Sequence, residues 1–520
     1  MRQSFFVLFL LFTYNSFSAT WPSENSSLNY TLIGFSAPCK GVCKLQIAPG
    51  HYNNVDSFEK NITISLAAKD GKLITEVPYF GASYTWRFTS GKNGTQNMPA
   101  ELHHFSTRPY IMDTSEIRMR IINDTGRYPG YYYFADITRT LYNMHGKPVW
   151  FVPQEDVPPS TLATEFRDLK TNSLGTISYV AKDCLREVDY NGNLLLDTRG
   201  SGTVSGDSIE HFHHEVYFLP NGHYMTLGNE RVILDLPAYK PDNSSFPDHS
   251  ISKANDGTYK QAIDFETVIE YDKNSKVVWS WKSSGYFVKS DLFTRYLPNG
   301  EFPVTDVHGN AIFFDEKNKV MYVGFRNISR IIKIKYPESK VLAVYGPLYD
   351  SKLSDLDNEL FCGQHRIGDA GDGNIYIFNN NSVTSAAMPK VEIFKEQDGK
   401  TNALQKIWEY ECTLQGISDN EFGTFNRLNV QYETDLRMSK APNAIGIIAG
   451  GNVEKMPDGN YFISMSGQFA KLLIVDKNKN VLWSAVPEKR LFANHWTFLS
   501  TYRASIVSPA ALQKMIWAQK

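Results

Sequence analysis

Three histidines stand at comparable points of three short hairpins. His214 lies seven and eight residues before Asn221-Gly222, and His365 lies seven and eight before Asp372-Gly373. His308 lies seven before Asp315, in the hairpin DVHGNAIFFDEKNKVMYVGFRNISRIIK of residues 306–333. Asn310 follows His308 by two residues, and the return strand ends at Arg326. A hairpin folds its two ends onto one rim. An imidazole, an amide and a guanidinium gathered there suit a small oxyanion. Asn229 and Asn379 end the return strands of the other two hairpins. One strand histidine is more often a hydrogen-bonded core residue than a catalyst. Three at an aligned position beside an arginine are harder to explain that way. Three histidines could also bind Zn²⁺, but Arg326 would repel a cation and no carboxylate joins them at the same level. Glu215 directly follows His214 and Asp306 lies two residues before His308. Strand alternation complicates their aim, so they read as supporting partners or exposed charges.

The elements that must hold these residues repeat. From about residue 125 onward, units of short strands recur roughly every 50–90 residues, often ending in an aromatic residue such as Trp. The third to sixth units each read as four strands joined by turns such as PNG, DGN and PDGN. Six such units predict an all-β chain built on a six-bladed β-propeller. The start of each innermost strand then rings one mouth of the central channel, which is where His214, His308 and His365 fall. Upstream, residues 19–115 alternate in short runs around a KDGK turn and predict a small N-terminal β-sandwich-like domain. The propeller is placed at 116–490, and residues 491–520 are a closing segment with a short helical run.

Composition narrows the function. The 520 residues are 42% hydrophobic with a formal net charge of −2, which gives no footing for nucleic acid as a partner. No P-loop or dinucleotide fingerprint is present, and no cofactor is expected. Residues 1–18 read as a secretory signal peptide, with Arg2 before an apolar run too short to span a bilayer. No span is expected after its removal, and a secreted or periplasmic location follows. Of five cysteines, Cys39 and Cys43 are expected to pair and close a small loop; Cys362 with Cys412 is a second pairing, leaving Cys184 buried. Sequons stand at Asn25, Asn29, Asn61, Asn93, Asn123, Asn243, Asn327 and Asn380 and permit glycosylation.

His308-Gly309-Asn310 followed by Arg326, with HHE at 213–215 upstream and QHR at 364–366 downstream, resembles the arylsulfate sulfotransferases. These are bacterial-type enzymes that work without the nucleotide donor PAPS. GGNVEKMPDGNYFIS and the late TYRAS resemble the family's closing region, and the match covers roughly residues 125–510. The resemblance implies that His365 is the nucleophile that becomes transiently sulfated and His214 the acid–base partner, with His213 the competing residue for that role. It implies that His308, Asn310 and Arg326 hold the sulfuryl oxygens, and that the partners are a small aryl sulfate donor and a phenolic acceptor. A homodimer is one assembly the sequence allows. Family members can carry a disulfide just before the nucleophile; here only Cys362 lies there. The rival readings are a non-catalytic propeller that binds a partner through the same mouth, and a metal-dependent propeller hydrolase.

Overall fold

The computed structural model describes residues 20–90, 101–153, 166–181, 184–236, 252–253, 259–287, 292, 306–346, 360–381, 388–397, 403–412, 450–466, 470–492 and 495–518. The leader at 1–18 and the sequons at Asn93 and Asn243 lie outside the described residues. The chain divides into two compact units, Met1–Tyr110 with Ile516–Lys520, and Ile111–Met515. Among the described residues no helix is long and apolar enough to cross a membrane.

The N-terminal unit is one seven-stranded sheet, from Ser26–Leu28 at one edge to Leu32–Ser36 at the other. Phe35 of the latter strand reaches Trp86 and Phe105, at ring separations of 5.1 and 5.9 Å. Those residues belong to strands at the other side of the sheet, so the sheet curls over its own apolar face and closes a sandwich-like core. Lys69 pairs with Lys72 across Asp70 and Gly71, both at positive φ, the tight hairpin turn that Asp-Gly favours. Cys39 and Cys43 form the expected disulfide.

The larger unit is the six-bladed propeller. The innermost strands are Ala504–Val507, Phe166–Thr171, His213–Phe218, Gly309–Asp315, His365–Gly371 and Asn452–Lys455, for blades 1 to 6. They touch one another in that order and the last touches the first, which closes the ring. In the first two repeat units only three strands are legible in the hairpin runs; the fourth of blade 2 lies upstream at Phe166–Thr171. Blade 1 takes its innermost strand from the far end of the chain: Ala504 pairs with Ala135 and Val507 with Tyr132.

All six blades break register at the same place, between third and fourth strands: at Leu141/Tyr142, Glu187/Val188, Glu270/Tyr271, Lys333/Ile334, Ile393/Phe394 and Ile474/Val475. A bulge bends and twists its strand, and its recurrence marks one repeated unit. Opposite the first residue of each break stand Trp150, Leu196, Trp279, Ala343, Trp408 and Trp483. The four tryptophans each donate their indole N–H to a carbonyl in a turn of the next blade: Tyr190, Pro337, Lys477 and Met144, at 2.7 to 2.9 Å. The aromatic residue that ends the repeats is therefore a bolt between blades. The larger apolar clusters obey the same logic, since each draws on two neighbouring blades. Leu227, Phe265 and Val268 of blade 3, for example, pack with Ile312, Phe314 and Val323 of blade 4.

Cys362 and Cys412 form no disulfide; both are buried, as is Cys184. Cys362 precedes the first strand of blade 5 and Cys412 follows the fourth. Three strand spacings of about 4.8 Å separate those positions, against the roughly 7 Å that a disulfide can span between Cα atoms.

Candidate active site

The three histidines meet at the mouth where the innermost strands begin. His308 lies just before its strand, His365 opens its own and His214 is the second residue of its own. Each is beside a bulge, between Gly309/Ala311, His365/Ile367 and His213/Val216. His214 and His308 both sit at positive φ, a conformation costly for a side chain of that size and frequent at functional sites. The bulges turn these rings off the strand alternation toward the axis. The rings of His214 and His308 are 4.8 Å apart and nearly perpendicular. Tyr502, arriving from the C-terminal segment, lies 5.9 Å from the His214 ring and 6.3 Å from that of His365.

The His308 hairpin supplies the guanidinium. Arg326 donates its backbone N–H to the His308 carbonyl at 2.9 Å, so the two strand ends do share one rim. Its Nη1 donates to Asn327 Oδ1 at 3.0 Å, and Asn327 in turn donates to the Asp306 carbonyl. Arg326 Nε is buried without a hydrogen-bond partner. Among the described residues no carboxylate pairs with this guanidinium. Burial acts on it first, lowering its pKa from the ordinary arginine range. A buried cation with spare donors is a site for an anion. His308 Nδ1 lies 2.8 Å from Asp306 Oδ2, yet burial outweighs that carboxylate and lowers its pKa. Asn310 is fully buried and its amide donates to the Gln364 carbonyl at 2.9 Å, tying blade 4 to blade 5 directly before His365.

His365 is almost fully buried. Its Nδ1 lies 2.5 Å from Asn380 Nδ2, and the Gly363 carbonyl bonds the ring. Burial, then Arg326, Arg503 and His308, hold its pKa well below the usual value. His214 is likewise held well below, by burial first, then Arg167, His213, His308 and His365. Both rings are therefore neutral at pH 7. His213 differs: burial opposes its charge, but Glu266 at 2.8 Å outweighs burial and raises its pKa.

Beneath the rings lies a layer of buried charge. Arg503 donates to the carbonyls of His214 and Asn310, at 3.3 and 3.0 Å, and pairs with Asp168 at 3.2 Å. Glu215 pairs with Arg366, stands 3.7 Å from Lys170 and accepts the Ile312 N–H at 3.0 Å. Arg503 thus braces the backbone of two site residues from the axis. Arg167 reaches in from blade 2, its guanidinium 5.0 Å from the Tyr502 ring and its Nε buried without a partner. Among the described residues no group of three or more His, Cys, Asp or Glu is placed to hold a metal ion.

A profile of the arylsulfotransferase (ASST) family matches residues 140–414. The chain belongs to this family. The matched span of the arylsulfotransferase runs from blade 1 to the end of blade 5 and carries His214, His308, Asn310, Arg326 and His365. Tyr502 and Arg503 lie beyond it. No curated protein matches the sequence significantly. Solved structures similar to it include a protein of unknown function from Bacteroides caccae, at 10% identity and TM-score 0.37, covering 75% of this chain and 99% of that one. An auxiliary nutrient binding protein from Bacteroides ovatus follows, at 9% identity and TM-score 0.33, covering 88% and 83%. Regucalcin, a calcium-binding protein from Agrobacterium tumefaciens, stands at 11% identity and TM-score 0.31, covering 74% and 94%.

The ladder pairing revises one alignment. The rungs His213↔Leu227, Gly309↔Phe325 and His365↔Phe378 make Asn229, Asn327 and Asn380 equivalent, not Asn229, Arg326 and Asn379. Asn229 and Asn380 each bond a ring nitrogen of their blade's histidine. The legible signal was an asparagine 15 or 16 residues after a histidine in both hairpins. Asn379 instead receives the Cys362 N–H and donates to Glu392. Glu266 and Arg167 were not singled out in the sequence, and Asn380 stood out only as a sequon. Glu266 lies on another strand of blade 3, 53 residues beyond His213, and has no local motif to mark it. The sequons at Asn29 and Asn380 are buried, so the folded chain does not present them.

Proposed function

We propose that this arylsulfotransferase moves a sulfuryl group from an aryl sulfate ester to a phenol in two steps, through a sulfated His365 and with no nucleotide donor. The observation that carries this reading is a buried Arg326, its Nε without a hydrogen-bond partner, near a neutral, buried His365. The monoanionic sulfate would settle on Arg326 with His308 and Asn310 alongside, and sulfuryl transfer through a loose transition state would rest mainly on positioning and charge. The unprotonated ring nitrogen of His365 attacks sulfur, the N–S bond forms and the S–O bond to the aryl group breaks. The His213–His214 pair, holding one proton beyond neutrality, protonates the departing oxygen through His214, then takes the proton of the incoming phenol. The phenol attacks sulfur and the N–S electron pair returns to His365. Arg167 and Tyr502 stand where the aryl oxygen would carry its charge. The Cys39–Cys43 disulfide supports an oxidising, secretory or periplasmic setting.

Incubation with 4-nitrophenyl sulfate without acceptor, followed by mass analysis under mild alkaline conditions, should give a peptide containing His365 heavier by one SO₃. Adding a phenol should discharge it and yield the aryl sulfate of that phenol. Folded protein that gives neither product with several donors would sink the reading. A His365→Ala variant should be folded and inactive; retained transfer would move the nucleophile elsewhere.

A further inference from the structure

His213 and His214 are consecutive, yet both rings face the site, because the bulge places two residues between the rungs at His213 and Val216. Their Nδ1 atoms are 2.5 Å apart, a distance at which one proton lies between two nitrogens. On the other side of His213, Nε2 lies 2.9 Å from Asn229 Oδ1 and 2.8 Å from Glu266 Oε1. Glu266 is fully buried and is itself fixed by the Gly309 N–H, at 2.5 Å from its other oxygen. Nothing in sulfate binding uses this row of groups, and burying a carboxylate and two imidazoles without a task is costly.

The geometry points to a proton relay, Glu266 to His213 to His214, that fixes the tautomer of His214 and exchanges its proton during each half of the reaction; this rests on the acid–base role proposed for His214. His213 Nε2–H donates to Asn229 and faces Glu266, so His213 Nδ1 is free to accept. His214 then carries its proton on Nδ1 and presents Nε2 to the aryl oxygen. In the donor step the relay starts with one extra proton, shared by the two rings and balanced by Glu266. As the S–O bond breaks, its electron pair stays on the aryl oxygen, which takes the proton from His214 Nε2. The proton on His213 Nδ1 passes to His214 Nδ1. In the acceptor step the phenol gives its proton to His214 Nε2, and the Nδ1 proton returns to His213. No proton is left over after a full cycle. Such a third group orients an acid–base histidine and stabilises its charged form, as in hydrolase triads. The charge preferences agree: Glu266 favours the cation on His213, while Arg167, His308 and His365 disfavour it on His214. His213, near the end of the row, is thus a positioning residue and proton partner rather than a competitor of His214.

The test is a series of aryl sulfates whose phenols differ in acidity, run on His213→Gln and Glu266→Gln. A relay matters most where the leaving phenolate is basic. His213→Gln should therefore lose roughly 10²-fold in donor-step rate with phenyl sulfate and only a few-fold with 4-nitrophenyl sulfate. Glu266→Gln keeps its shape and should show the same pattern more weakly, and it carries the test if His213→Gln does not fold. An equal loss along the whole series, or none, would overturn the relay. Sulfation of His365 in the unaltered protein is the control. Its absence would defeat the transfer reading itself, whereas a sulfated His365 with an unchanged leaving-group slope would defeat the relay alone.

Discussion

At the residue scale the site is a set of charge decisions. Arg326 has a spare donor and, among the described residues, no carboxylate paired with it, so its worth depends on its planar fork as well as its charge. Arg326→Lys keeps the charge and should still lower kcat/KM by about 10²-fold, the typical loss for one oxyanion donor; initial rates with 4-nitrophenyl sulfate would show it, and near-normal rates would mean that charge alone suffices. The histidines also write themselves into stability. His214, His308 and His365 have depressed pKa values, against one raised value at His213. An unfolded chain takes protons on these rings from about pH 6.5 downward, while three of the folded ones refuse them. Their contribution is therefore complete above about pH 6.5 and is lost as pH falls toward the folded values. Urea midpoints between pH 8 and pH 5 should fall with acidification. The fall should be shallower in a His214→Gln, His365→Gln double variant; an equal slope would assign it to other groups.

At the element scale, the repeats were readable because turn residues and strand ends recur. Counting from the turns placed His214, His308 and His365 at one mouth, and the bulges show why that worked despite broken alternation. What escaped was anything held across strands. Asn380 could be found by its offset from His365, but Glu266 reaches His213 from a strand two places over in the sheet, and no spacing rule joins them. The Cys39–Cys43 pair was legible because its loop is short, while Cys362 and Cys412 gave no hint that a whole blade lies between them. The indole bolts make a separate prediction. Trp150→Phe and Trp483→Phe each keep the ring's apolar bulk and leave a carbonyl of Tyr190 or Met144 without its donor. Each should cost about 1–3 kcal/mol in denaturant unfolding. Leu196 and Ala343, at the positions without an indole, should tolerate small apolar exchanges far better.

At the scale of the whole propeller, Arg503 leads into the innermost strand of blade 1, bonding blades 3 and 4 through carbonyls and blade 2 through Asp168. Arg503→Met would strip a cation from buried Asp168 and Glu215. A loss of about 3–5 kcal/mol is expected, as for other broken buried pairs. A variant as stable as the parent at pH 7.5 would show that Lys170 and Arg366 suffice for the two acids.

The strand Ala504–Val507 has one more consequence, in the order of synthesis. All three histidines leave the ribosome long before the strand that completes blade 1 and brings Tyr502 and Arg503 to them. Until residue 507 has been made, the edge of Tyr132–Ala135 lies bare, an invitation to mispairing that a chaperone would have to cover. The site's chemistry thus waits for the synthesis of residues 502–507.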